Sequence, residues 1–143
     1  MFNPSRDQVR NFFIDAWRKH RAREVLTPLE TIAADIVQSH SEYHKVVEDP
    51  ESVERDFTPD DGQVNPFLHL SLHLAIEEQL SIDQPPGLRA AFDAACARHG
   101  ERHAALHDVL ECLGETMFNA QRNNAAPDGM AYIACVRRRA GLS

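Results

Sequence analysis

A chain of 143 residues, 43% of them hydrophobic, suits one domain with a core of its own and leaves no room for a second of ordinary size. Its net charge of −7 is almost wholly local: residues 48–64, EDPESVERDFTPDDGQV, hold seven acids against one base and supply −6 of it. The near-neutral remainder has no basic face to follow a phosphate backbone, which argues against nucleic-acid binding, and no window approaches the roughly 18 apolar residues of a membrane span.

The opening residues, MFNPSRDQVRNFF, are charged early and lack the apolar run of a secretory signal. Three cysteines, Cys96, Cys112 and Cys135, form no Cys-x-x-Cys and cannot all pair, so they read as small apolar residues in a reducing compartment. The expected location is cytoplasmic.

In chain order the signals are helical. Pro4 can take the first position of a helix whose Val9, Phe12, Phe13, Ala16 and Trp17 recur at three and four, running to about Ala22. Thr27-Pro28-Leu29-Glu30 combines a capping box with a first-turn proline and opens a second helix through Ile32, Ala33, Ile36 and Val37, with a break near His40-Ser41. A short helical turn over residues 42–48 precedes the acidic segment 48–64, which reads as a solvated loop. That segment lacks the spacing of a calcium loop. Asn65-Pro66 repeats the cap-plus-proline start, and the helix it launches must end before Pro85-Pro86. Further helices are expected over 87–99, stopped by Gly100, over 101–122, and over 128–139 after the turn NNAAPDG, with Arg137, Arg138 and Arg139 complementing the final C-terminus. The expected fold is all-α, a compact single-domain bundle of about five or six helices.

Two of these helices carry the same pattern. HLSLHLAIE at 69–77 and HAALHDVLE at 103–111 both read His-x-x-x-His-x-x-x-Glu. Random placement of eight histidines gives roughly 0.4 pairs at separation four, the distance that puts side chains on one helical face; the chain has four, at 40/44, 69/73, 99/103 and 103/107. Imidazoles four apart lie one turn above each other and can clasp one ion, whereas residues eight apart are separated by about 12 Å along the axis. His69 and Glu77 therefore cannot share an ion from one helix alone. Two such helices facing each other supply His69, His73, Glu77, His103, His107 and Glu111, enough for one ion with ligands to spare or two bridged by carboxylate. Iron, zinc and manganese all suit such donors. The glutamate that follows the first histidine of a metalloprotease His-Glu-x-x-His helix is absent here, where Leu70 and Ala104 take its place, so no general base and no catalytic residue can be assigned.

The competing reading is metal-free: a buried His/Glu layer that fixes helix register or a homodimer interface in an interaction module whose protein partner is unspecified. Elsewhere structural roles are expected. His40 and His44 straddle the helix break as solvated or capping residues, or else as an added ligand pair. His20 sits in an exposed cationic helix end, His99 complements a helix C-terminus, Glu115 is a surface residue, and Trp17 and Phe118 belong to the core. Cys112 has no neighbour that would activate it.

NPFLHLSLHLAIEEQ at 65–79, IDQPPGL at 82–88, HDVLECLGETMFNAQR at 107–122 and DAWRKH at 15–20 together resemble the signature blocks of a small bacterial family known as domain of unknown function 1841. The resemblance spans nearly the whole chain. It implies a compact bacterial protein and brings no established activity. Phe118 stands where the family often has tryptophan and Ser41 where it commonly has proline, and neither departure touches the His/His/Glu stripes.

Overall fold

A computed structural model describes residues 5–57 and 65–142. Among these residues the chain is helical with no strand: α1 (Arg6–Arg21), α2 (Pro28–Gln38), α3 (His44–Val47), α4 (Pro66–Ile82), α5 (Leu88–His99), α6 (Arg102–Arg122) and α7 (Gly129–Arg139), with single-turn 3-10 segments at Ser41–Tyr43 and Pro50–Glu54. That is slightly more helices than the five or six expected, because the break after α2 produces the separate short helix α3. No helix is long and apolar enough to cross a membrane among the described residues.

Helix limits follow from side chains that satisfy otherwise orphaned backbone groups. Ser5 caps α1 through a reciprocal capping box with Gln8, so the helix opens after Ser5; the expected start at Pro4 lies outside the described residues. Thr27 and Glu30 form the anticipated box at α2, and Asn65 Oδ1 accepts from the amides of Phe67 and Leu68 at the start of α4. Gly100 ends α5 at φ +78°, a left-handed conformation that a side chain would strain. Asp128 Oδ1 accepts from Met130 and Ala131 to open α7.

The chain forms two compact units, Met1–Leu74 and Ala75–Ser143, with the boundary inside α4. In the first, Phe13, Ile14, Ala16 and Trp17 of α1 pack with Ala33, Ile36 and Val37 of α2, and with Val47, Val53, Phe67 and Leu70. Residues 48–64 were expected to be solvated throughout, but Pro50–Glu54 is ordered into a turn with Ser52 and Val53 buried. The cause is Arg10. Its buried guanidinium donates to the carbonyls of Val53 (2.9 Å) and Arg55 (2.7 Å) and lies over the rings of Phe57 and Phe67. Residues 58–64 of that segment lie outside the described residues.

In the second unit α5, α6 and α7 pack pairwise, burying Leu88, Phe92, Leu106, Val109, Leu113 and Val136 among others. Tyr132, whose phenol burial pushes upward, donates to Gln79 at 2.8 Å. Cys112 and Cys135, expected as free thiols, are joined in a disulfide between α6 and α7, leaving Cys96 as the free cysteine. The argument from cysteine usage to a reducing compartment therefore fails, because two cysteines on facing helices can pair whatever their spacing in sequence. Phe118 is also corrected: it is 60% exposed rather than part of the core.

Candidate metal centre

The centre begins where α2 stops. Ala33, Ile36 and Val37 are buried on its inner face, and the helix gives way after Ser39 to His40 at φ −123°, ψ 69°. His40 lies four residues beyond Ile36, so it continues the inward stripe and is only 1% exposed. Its Nδ1 is 2.7 Å from the Ile36 carbonyl. A carbonyl can only accept, so Nδ1 carries the proton and, in the neutral ring, Nε2 presents a lone pair.

α4 brings its own pair to that lone pair. His69 and His73 stand one turn apart with Nε2 atoms separated by 3.2 Å, and His69 Nε2 is also 3.2 Å from His40 Nε2. His73 is 2% exposed and His69 half-buried. The ligand atoms of His40, His69 and His73 all lie within 4.8 Å of one another, and no carboxylate or thiolate belongs to that group among the described residues. Tyr43 walls it on one side: its ring lies parallel to His40 and edge-on to His69, each at 5.7 Å between centroids. Burial, with Glu42 nearby, raises the Tyr43 phenol above its ordinary value and keeps it protonated.

Geometry and proton count both bear on whether these residues fit an ion. For a tetrahedral zinc with bonds of about 2.0 Å, adjacent nitrogens stand about 3.3 Å apart; His69 Nε2 is 3.2 Å from each of its two neighbours. A ring nitrogen carries either one proton or one lone pair, so His69 Nε2 cannot form a good linear hydrogen bond to both neighbours at once. One cation placed among them could accept all three lone pairs. The donor set fits a transition metal.

His44 and His20 have other engagements. His44, grouped with His40 in the sequence, donates from Nε2 to the Val37 carbonyl at 2.9 Å and packs on Trp17 with centroids 4.6 Å apart. Its role is to tie the chain past the helix break to the end of α2. His20 stacks on the same indole. In the second unit, His103 and His107 of α6 stand together with ring centroids 4.4 Å apart. Glu77 is held by Arg102 in a two-pronged ion pair at 2.8 and 3.1 Å, which raises the affinity of the guanidinium for its proton. Glu111 is exposed and paired with Arg139. Arg139 also approaches Asp108, which binds His99 Nε2 at 2.5 Å.

Thus the structure gathers His69 and His73 as a pair and His103 and His107 as a pair, adds His40, and places both glutamates against arginines. His40 was expected, with His44, as a solvated or capping residue or else as part of an added ligand pair; the structure buries it beside His69. The signal that identifies it is its register with Ala33 and Ile36, which outweighs the helix break beside it.

A family model described as Domain of unknown function (DUF1841) matches residues 5–138. The chain belongs to this family. No curated protein and no solved structure matches it. The DUF1841 description carries no activity for the chain.

Proposed function

We propose that this DUF1841 protein is a metal-binding helical protein in which His40, His69 and His73 hold a divalent transition ion through Nε2. The observation that carries the reading is that His69 Nε2 makes 3.2 Å contacts with the Nε2 atoms of the buried His40 and His73, with the other nitrogen of His40 already fixed by a carbonyl. Such an outer hydrogen bond orients a ligating imidazole and raises its basicity. His103 and His107 are proposed as further imidazole ligands, four apart on one helical face. Glu77 and Glu111 would have to leave Arg102 and Arg139 to join them.

The alternative is a metal-free interaction module, or homodimer, in which the imidazoles form a polar layer. The two differ in their response to metal. An ion bound by the folded chain alone adds about 2.7 kcal/mol of stability when present at a hundred times its dissociation constant. Thermal unfolding of the metal-loaded chain should shift down on adding a chelator, and His73→Ala should abolish both the shift and the bound metal. Unfolding indifferent to chelator and to added metal would sink the metal reading and leave the polar layer. Metal content of the His103→Ala/His107→Ala variant measures the share of the second pair.

A further inference from the structure

The metal-binding reading leaves open which kind of ion is held, and the structure narrows it. Two-metal centres place their ions about 3.5–4 Å apart, a separation normally spanned by a bridging oxygen ligand such as a carboxylate. The carboxylates at metal-site spacing in this sequence are Glu77 and Glu111, and both are bound to cations: Glu77 by both oxygens to Arg102, Glu111 to Arg139. What converges instead is imidazole. His69 Nε2 lies 3.2 Å from the Nε2 atoms of both His40 and His73, the ligand atoms of the three stand within 4.8 Å of one another, and no carboxylate or thiolate belongs to the group among the described residues.

We infer that the centre is mononuclear, with nitrogen as its only protein donor, and that it selects zinc, copper(II), nickel or cobalt over manganese. The inference rests on the metal-binding reading and goes beyond it by naming the class of ion. The reason is ligand preference: imidazole suits the later first-row ions, whereas manganese takes carboxylate, carbonyl and water oxygen, and the affinity of any nitrogen site rises from manganese through cobalt and nickel to copper. Neutral donors also offer manganese no charge compensation for its lost water shell. The contact of His40 Nδ1 with the Ile36 carbonyl adds to the discrimination, because it holds one nitrogen at a fixed position and limits expansion toward a larger, oxygen-rich shell.

The test is competition on the full, untagged chain. Protein stripped with chelator is offered zinc and manganese together in equal excess, and native mass spectrometry reads the ions bound. About one zinc per chain, with manganese weaker by at least about a hundredfold, is expected. The cobalt-loaded chain should show visible bands of a nitrogen-bound ion without thiolate charge transfer. A Glu77→Gln/Glu111→Gln variant, shown by circular dichroism to remain helical, should bind zinc as the parent does. Manganese binding within about tenfold of zinc, a second tightly held ion, or loss of metal in the glutamine variant would each overturn the inference while leaving metal binding intact. A chain that takes up none of these ions overturns the metal-binding reading itself, and the inference with it.

Discussion

The two His-x-x-x-His-x-x-x-Glu stripes are alike in sequence and unlike in company. In the first, His69 and His73 meet His40, which comes from the end of a different helix, and three ring nitrogens converge. In the second, the rings of His103 and His107 stand against each other on α6, while the glutamate that completes the stripe is exposed and held by Arg139 at the end of α7. Spacing along a helix decides which side chains share a face. What they do there depends on what the rest of the chain brings to that face.

The same lesson separates His40 from His44, and the largest expected effect follows from it. Both belong to one i, i+4 pair, yet His40 directs Nε2 toward His69 whereas His44 has committed its Nε2 proton to the Val37 carbonyl. His40→Phe should remove bound metal, with at least about a tenfold fall in affinity, as expected when an oriented ligand is lost. His44→Phe should leave metal content unchanged and affect stability alone, since the new ring can still pack on Trp17. Equal metal loss in both variants would erase the distinction.

A second contrast is in how the two units are held. The first relies on a packed core and on Arg10 beneath the Pro50–Glu54 turn; the second has the Cys112–Cys135 link, 23 residues apart in sequence. Closing a loop of that size is worth about 3 kcal/mol on chain-entropy grounds. Cys112→Ser/Cys135→Ser should therefore lower the denaturation midpoint substantially. The metal content carried by His40, His69 and His73 should remain, which dialysis against zinc followed by elemental analysis checks.

Much of the fold was legible in the sequence because local physics dictated it. Thr27 to Glu30, Asn65-Pro66, Pro85-Pro86 and Gly100 mark helix limits through backbone groups and steric conflicts that need no distant partner. The candidate site was legible only in part. The pairing of His69 with His73 follows from helix geometry, but the arrival of His40, the arginines on Glu77 and Glu111, and the union of Cys112 with Cys135 are choices made between elements. Phe118 shows the same limit: its place in a helical pattern did not tell which face would be covered.

The smallest predicted effect is electrostatic and lies away from the centre. Glu30 is held below the usual carboxylate range, first by its hydrogen bond to Lys19 and then by the Thr27 amide. A depressed folded-state value means that the ionised carboxylate favours the folded chain. That contribution is present at neutral pH and is lost as pH falls through the lowered value. Glu30→Gln, which keeps a capping side chain but loses the charge, should make stability slightly less dependent on pH below about pH 4 than in the parent. Denaturant titrations at neutral and acidic pH measure it; identical pH dependence in the two proteins would remove Glu30 from the account.

The central claim is that three imidazoles converge on an ion. The most direct test is the metal content of untagged protein, purified without chelator or nickel resin and then offered zinc. The account predicts about one equivalent per chain, absent in His73→Ala. Less than about a tenth of an equivalent, unchanged after metal is offered, would contradict it and make the histidines a structural layer.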